Sequence, residues 1–150
     1  MEIALWIREG VWEATVDAGL RFAGGGGDDP ATFVLLHGVE SDSEAAMNAG
    51  LSGLLGRGHS RHVDAGWQAD ADSAAEDLLA AAEQRLGRPV QRRRLTGRIE
   101  REVVVATEGA DLLILSRDGD RRRLGPHSLG PHTRFVVDHA ACPVLLVWPA

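Results

Sequence analysis

Apolar positions along the chain follow two alternating patterns, and the first is a set of short runs. Four apolar runs of strand length occur at residues 2–7, 32–36, 112–115 and 144–148. Runs this short and this apolar are typical of strands that a parallel sheet buries on both faces. A further segment, residues 90–95, alternates weakly around three arginines and suits a strand at a sheet edge. The pattern therefore predicts five strands.

Helical periodicity fills the intervals between these runs. Apolar side chains recur at spacings of three and four residues in segments 11–23, 43–55, 73–86, 99–106 and 131–141. Ser73 and Glu76 have the spacing of a capping box, which predicts that the third of these helices starts at Ser73. Pro131 suits the first turn of the last helix, where its missing N–H is no loss. The glycine-rich polar stretch 56–66 is predicted to be a mobile loop.

The order of these elements predicts an α/β fold. Strands that alternate with helices form a doubly wound parallel sheet, here of five strands, with helices on both faces. We expect one domain over residues 1–150, with a mobile insertion at about residues 41–66. In such sheets, ligands bind in the crevice outside the carboxyl ends of the strands. The βαβ unit of residues 112–148 supplies a loop and a helix N-terminus at that edge.

Composition excludes several classes of function. The formal net charge of −6 argues against general nucleic-acid binding, whose affinity comes mostly from phosphate neutralisation. All 16 basic residues are arginine, so a lysine-dependent phosphate loop and a Schiff-base lysine are both excluded. No apolar run approaches the roughly 18 residues of a membrane span, and no basic leader precedes the first strand. The sequence therefore predicts a cytoplasmic protein that binds no membrane.

Few residues are candidates for catalysis or metal binding. Cys142 is the only cysteine, which excludes an internal disulfide and a cysteine-based zinc cluster. His59, His62 and Asp64 are close in sequence, but they lie on the predicted mobile loop, so no metal site is predicted. Ser128 lacks the Gly-x-Ser-x-Gly elbow of a serine nucleophile. The sequence predicts no catalytic residue.

The last third of the chain carries a family resemblance. The predicted fourth strand ends in the small residue Ser116, and Gly119, Gly130 and Thr133 follow it. His139 then begins the ending His-Ala-Ala-Cys-Pro-Val-Leu-Leu-Val. This arrangement resembles the universal stress protein family, and the resemblance runs over nearly the whole chain. It implies the strand order 3-2-1-4-5. It also implies a phosphate-binding pattern, Gly-x2-Gly-x9-Gly-Ser/Thr, which holds ATP in nucleotide-binding members.

The chain departs from that nucleotide pattern at four points. Ser116 stands where the first glycine should be, and ten residues, not nine, separate Gly119 from Gly130. Pro131 replaces the hydroxyl residue that follows the last glycine. Arg8 occupies the place where nucleotide-binding relatives have an aspartate against the adenosine moiety, and arginine has donors but no acceptor. These departures predict that nucleotide binding is lost or altered.

The crevice between the first and fourth strands defines the candidate ligand residues. We expect Glu9 to point away from Arg8 if strand geometry continues past residue 7. Arg121 begins a run of three arginines, which is either solvated charge or a guanidinium fork over an anion. A ligand of the crevice is therefore expected to be an anionic small molecule, and the resemblance implies ATP or AMP. The candidates are Arg8, Glu9, Gly38, Ser116, Gly119, Arg121, Gly130, His132 and Thr133.

Three functions are consistent with these observations. The favoured hypothesis is a non-catalytic regulatory or interaction protein of the stress response, with an unidentified protein partner. The second is a protein that binds ATP or AMP in the crevice. The third is a nucleotide hydrolase built on the same site. No cofactor is required by the sequence.

The last strand predicts how the protein assembles. In the strand order 3-2-1-4-5 it lies at the sheet edge, yet it is apolar throughout. An uncovered apolar edge is an aggregation hazard that natural proteins cover or pair. Members of the family that the chain resembles commonly pair the last strands of two subunits. We therefore expect a homodimer whose interface includes Val144, Leu146 and Trp148. The alternative is a monomer in which residues 41–66 or the chain end cover this edge.

Overall fold

The computed structural model of the chain describes residues 1–24, 31–40, 64–118 and 129–149. Within these ranges, five strands form one sheet whose four pairings are all parallel. The strands are β1 (Glu2–Trp6), β2 (Thr32–Glu40), β3 (Val90–Gly97), β4 (Leu112–Ser116) and β5 (Val144–Val147). Their spatial order is β3-β2-β1-β4-β5. The predictions of a doubly wound α/β fold and of this strand order are confirmed.

The described ranges contain helices α1 (Trp12–Gly24), α2 (Asp64–Leu86), α3 (Ile99–Ala106) and α4 (Pro131–His139). None of these helices has the length and apolar composition that a transmembrane segment needs. The predicted start of a helix at Ser73 is wrong, because α2 begins at Asp64 and Ser73 lies in its interior. Alanine is frequent on both sides of Ser73 and favours helix, so a local capping signal did not set the boundary. Residues 64–66 are consequently helical, and the predicted helix at 43–55 lies outside the described residues.

Two apolar cores lie on the two faces of the sheet. Side chains alternate along the strands, so neighbouring residues of β1 enter opposite cores. Each large side chain buried in this way contributes about 1.5–3 kcal/mol relative to an exposed one. The core under α1 and α2 includes Ile3, Leu5, Val16, Phe33 and Leu79. The core under α3 and α4 includes Ala4, Trp6, Ile99, Val103 and Val136.

Parallel pairing brings the carboxyl ends of the central strands together at one end of the sheet. Trp6 is the register partner of Leu36 in β2 and of Leu115 in β4. Just beyond β1, Gly10 adopts a φ of 74°, a left-handed conformation that glycine tolerates, and the chain turns into α1. The N-terminus of α4 lies at the same end, where the chain returns towards β5. This end of the sheet contains the crevice that the sequence predicted.

Candidate functional site

Arg8 and Asp118 form an ion pair at the entrance to the crevice. Arg8 Nη1 lies 3.0 Å from Asp118 Oδ2 and donates also to Thr133 Oγ1 at 2.9 Å. Thr133 Oγ1 in turn donates to Asp118 Oδ2 at 3.0 Å. The aspartate side chain is 18% exposed and the arginine side chain 29% exposed, so solvent screens the pair only partly. The end of β1, the end of β4 and the start of α4 therefore meet at one carboxylate.

The same carboxylate lies at the N-terminus of α4. Gly130 is the N-cap residue of this helix, and its N–H donates to Asp118 Oδ1 at 2.7 Å. A Cβ atom at Gly130 would overlap the aspartate carboxyl group, so glycine allows the close approach. Helix N-termini attract anions because their N–H groups lack partners within the helix and the helix dipole is positive there. Asp118 thus supplies the anion from within the chain.

These contacts control the ionisation of Asp118. Partial burial opposes the charged form, but the hydrogen bonds from the Gly130 N–H and from Arg8 outweigh it. Together with the charge of Arg8 and the Thr133 hydroxyl, they hold the pKa of the Asp118 carboxyl below its ordinary value of 3.8. Asp118 is therefore ionised at neutral pH, and the cluster contains a paired anion and cation.

A cavity of about 260 Å³ opens beside this cluster. The guanidinium of Arg8 lies 5.0 Å from the centre of the Trp6 ring, in the range of a cation–π contact. Ile99, the first residue of α3, packs so closely on Gly38 that a Cβ atom there would overlap its side chain. The lining of the cavity therefore combines buried apolar residues with polar and charged ones. The lining residues are Trp6, Arg8, Glu9, His37, Gly38, Ile99 and His132.

Two histidines hold defined hydrogen bonds at the cavity. His37 is 8% exposed, and its Nδ1 lies 2.9 Å from the carbonyl oxygen of Ile7, to which it can only donate. His132 Nδ1 lies 3.1 Å from Glu100 Oε2. Burial opposes ionisation of Glu100, but hydrogen bonds from its own backbone N–H and from His132 lower the pKa of its carboxyl. In the described ranges, no group of three or more His, Cys, Asp or Glu side chains could hold a metal ion.

Ser116 faces away from this cavity. Its hydroxyl donates to the carbonyl oxygen of Val11 at 2.9 Å and lies 2.8 Å from Thr15 Oγ1. Ser116 is 1% exposed and Thr15 is fully buried. Ser116 therefore attaches the end of β4 to the start of α1, a contact that a glycine at this position could not make.

The structure brings most of the predicted ligand residues to the crevice. Arg8, Glu9, Gly38 and His132 line the cavity, while Gly130 and Thr133 lie at the start of α4 beside it. Glu9 is expected to point away from Arg8 only if strand geometry continues past residue 7, and that condition is not met. β1 ends at Trp6, so strand alternation does not extend to residues 8 and 9, and both line the cavity. Gly119 and Arg121 lie outside the described residues.

The sequence placed Asp118 at the crevice without giving it a role, and it gave no part in the site to Trp6 and Ile99. Asp118 lies between the positions of the first two motif glycines, but Arg117 and Asp120 lie close to it in a polar, charged stretch, so it resembled solvated loop. Its pairing with Arg8 spans 110 residues, and no local spacing could reveal it. Trp6 resembled an ordinary core residue because it occurs in an apolar run, and Ile99 because it begins an apolar stripe at helical spacing.

Known proteins with similar sequences or structures agree with this fold. The sequence model of the universal stress protein family matches residues 26–147. No curated protein matches the sequence. A universal stress protein from Lactobacillus plantarum has a similar structure, with 19% sequence identity and a TM-score of 0.63 over 98% of this chain and 97% of that one.

Two further similar structures contain ligands. A universal stress protein family member from Arabidopsis thaliana, with AMP bound, has 13% identity and a TM-score of 0.63 over 100% of this chain and 92% of that one. A universal stress protein in complex with cAMP has 16% identity and a TM-score of 0.58 over 100% of this chain and 98% of that one. At these identities, the likeness establishes a shared fold.

Proposed function

Because the chain belongs to the universal stress protein family, we propose that it is a non-catalytic regulatory or interaction protein of the stress response. In this proposal it acts in the cytoplasm as a single-domain homodimer, and its ability to bind nucleotide phosphates is strongly reduced. One of its own carboxylates, that of Asp118, takes the place of the phosphate. The partner protein is to be identified.

The contacts of Asp118 are the observation that supports this proposal. Three donors converge at the start of α4: the Gly130 N–H, the Arg8 guanidinium and the Thr133 hydroxyl. All three donate to the Asp118 carboxylate, with donor-to-oxygen distances of 2.7 to 3.0 Å. A phosphate group would need the same kind of donors at a helix N-terminus. An incoming phosphate must therefore displace a carboxylate that is already hydrogen-bonded and ion-paired.

Isothermal titration calorimetry with ATP and AMP tests the proposal. We expect the wild type to bind ATP with a dissociation constant above ~10 µM, which corresponds to about −7 kcal/mol. Asp118→Ala should bind ATP about tenfold more tightly, because three donors lose their internal anion. Asp111→Ala is the matched control, since Asp111 accepts a hydrogen bond from the Glu2 N–H at the opposite end of the sheet. We expect this control to bind ATP as the wild type does.

A second arm of the same experiment addresses Arg8. Arg8→Asp restores the residue type of nucleotide-binding relatives, but it leaves Asp118 at the start of α4 and places two carboxylates side by side. We expect it not to restore tight ATP binding. A wild-type dissociation constant below ~10 µM would instead favour the second hypothesis, a nucleotide-binding protein. An activity that releases phosphate from added ATP, follows the protein through purification and is lost in Arg8→Ala would favour a hydrolase.

A further inference from the structure

We infer that the cavity beside Arg8 binds a small molecule that carries a primary ammonium group. Such a ligand is neither a nucleotide nor the anion that the sequence led us to expect. The inference rests on the proposed function, because it requires that Asp118 stay paired with Arg8. Two acceptors of the lining that lack partners, His37 Nε2 and the Glu9 carboxylate, define the chemistry of the ligand.

The ring of His37 presents an acceptor to the cavity. Its Nδ1 lies 2.9 Å from the carbonyl oxygen of Ile7, which only accepts, so Nδ1 carries the hydrogen and Nε2 of the neutral ring is an acceptor. His37 is 8% exposed and lines the cavity, and Nε2 has no hydrogen-bond partner within the described ranges. Among the described residues, no side-chain nitrogen or oxygen atom is both inaccessible and unpaired, so a ligand can reach Nε2. A nearly buried acceptor of this kind favours a ligand that donates a hydrogen bond.

The unmatched charge of the lining is negative. Arg8 is neutralised by Asp118, and its guanidinium covers the ring of Trp6, which is 3% exposed. Trp6 therefore offers no open aromatic surface to a ligand. Glu9 is exposed and has no ion-pair partner in the part of the chain that the structure describes. A cation fits beside this carboxylate, whereas an anion is repelled by it.

The size of the cavity restricts the ligand to a few non-hydrogen atoms. The cavity measures about 260 Å³, which is less than the roughly 300–1,000 Å³ of pockets for drug-sized ligands. Ile99 of the lining can contact a short alkyl chain. His132, the other histidine of the lining, faces Glu100 at 3.1 Å. A primary ammonium group has three donors on one compact charge, enough for both the Glu9 carboxylate and His37 Nε2.

Three probes of equal size separate charge from hydrogen bonding. n-Butylammonium has a charge and N–H donors, tetramethylammonium has a charge without a donor, and 1-butanol has a donor without a charge. We propose to titrate each into ¹⁵N-labelled wild-type protein at about pH 8, above the range in which free imidazole titrates. The ¹⁵N signal of His37 Nε2 reports on binding directly. The ring of His139, which is exposed and lies 2.8 Å from the carbonyl oxygen of Phe135, is the internal control.

We expect n-butylammonium to shift the His37 Nε2 signal in a saturable way, with a dissociation constant of about 1–10 mM. Tetramethylammonium and 1-butanol should each bind about fivefold more weakly or worse, because each lacks one of the two properties that the lining requires. The His139 signals should not move with any of the three probes.

Two variants identify the acceptors, and the Gly38 amide signal follows binding in both. His37→Asn keeps an N–H donor at the position of Nδ1 and removes Nε2, so n-butylammonium should bind about tenfold more weakly. Glu9→Gln removes the exposed charge and should weaken binding about threefold. This second variant changes a surface residue, so it remains informative if His37→Asn does not fold. Glu108→Gln, an exposed change before β4 at the opposite end of the sheet, should bind n-butylammonium as the wild type does.

Asp118→Ala separates this inference from the proposed function. It leaves the Arg8 cation unpaired beside the cavity, so n-butylammonium should bind several-fold more weakly. The proposed function predicts the opposite change for ATP, which should bind this variant more tightly. The two ligands therefore report on the two proposals independently.

Two results would overturn the inference. One is the absence of a saturable shift at His37 Nε2 with n-butylammonium up to about 50 mM. The other is an equal affinity of the wild type for n-butylammonium and for either of the other two probes. Both results leave the proposed function standing, since ATP binding is measured without an amine. Tight ATP binding by the wild type would contradict the proposed function itself.

Discussion

The carboxylate of Asp118 joins residues that lie far apart in the sequence. It lies after β4 and accepts hydrogen bonds from Arg8, which follows β1, and from Thr133 and the Gly130 N–H at the start of α4. Charge-assisted hydrogen bonds of this kind contribute about 1.5–3 kcal/mol each when they are partly buried. Their loss leaves the Arg8 cation without its partner. The site and the stability of the crevice therefore depend on the same residue.

We expect the contribution of Asp118 to stability to depend on pH. Its pKa is lowered in the folded protein, so its contribution is present above the ordinary value of 3.8 and is lost as the pH falls below it. Asp118→Asn should lower the free energy of unfolding by about 1–3 kcal/mol at pH 7. The difference in the free energy of unfolding between Asp118→Asn and the wild type should shrink at about pH 3. Urea unfolding at both pH values measures it.

Asp17→Asn is the matched control for this prediction. A hydrogen bond from Arg85 lowers the pKa of the Asp17 carboxyl, but both side chains are more exposed than those of Asp118 and Arg8, so solvent screens this pair more strongly. We expect a clearly smaller effect on the free energy of unfolding than in Asp118→Asn. An Asp118→Asn difference that stays constant between pH 7 and pH 3 would contradict the ionic role of Asp118.

Near the crevice, helices contact the strands at a glycine, which has no side chain, and at buried hydroxyl groups. Gly38 of β2 lets Ile99 of α3 approach so closely that a Cβ atom at residue 38 would overlap it. On the other face of the sheet, Ser116 connects the end of β4 to Val11 and Thr15 at the start of α1. Both contacts fix helix positions relative to the strand ends, and the contact between Gly38 and Ile99 lies in the wall of the cavity.

Gly38→Ala should destabilise the protein by about 1–3 kcal/mol, because the added methyl group has no room beside Ile99. Denaturant unfolding of Gly38→Ala, Ile99→Ala and the double variant measures the coupling between the two positions. We expect the double variant to be more stable than the sum of the single effects predicts. Gly24→Ala is the control, since nothing lies within 4 Å of a Cβ atom there. Additive effects of Gly38→Ala and Ile99→Ala would show that overlap with the Ile99 side chain does not cause the loss of stability in Gly38→Ala.

At the scale of the whole molecule, the two edges of the sheet differ in charge. β3 presents Arg92 and Arg94, which form ion pairs with acidic residues of α2. Charged side chains of this kind protect an edge from pairing with another chain. β5 has no charged residue, and all four of its side chains are only partly buried. Within the described ranges, β5 pairs only with β4, so its outer edge is the more favourable place for a second subunit.

We expect the wild type to sediment as a dimer at micromolar concentration, at twice the chain mass of 16.1 kDa. Leu146→Lys places a charge in the middle of β5 and should shift the equilibrium towards monomer. Thr96→Lys, on the exposed edge strand β3, should leave the dimer intact. Sedimentation equilibrium measures all three, and circular dichroism checks that the variants fold. A monomeric wild type would exclude the dimer, and a dimeric Leu146→Lys would move the interface away from Val144, Leu146 and Trp148.

The sequence by itself determined the elements and their order. Short apolar runs and helical periodicity report on local backbone geometry, so β1, β4 and α4 could be predicted within a residue or two of their observed bounds. Alternation of strands and helices then restricted the topology to a parallel sheet. The family resemblance supplied the strand order and the position of the crevice. The local signal failed at Ser73, where helix propensity on both sides outweighed a capping motif.

Only the tertiary structure decided what the crevice contains. Arg8 and Asp118 are 110 residues apart, and they meet because β1 and β4 are neighbours in register. The direction of the Ser116 side chain depends on which helix covers that face of β4, and that choice is made by packing. Glu9 lines the cavity because β1 ends at Trp6, a boundary that periodicity could not locate. Contacts between strand ends depend on sheet register and helix position, neither of which any local spacing of residues encodes.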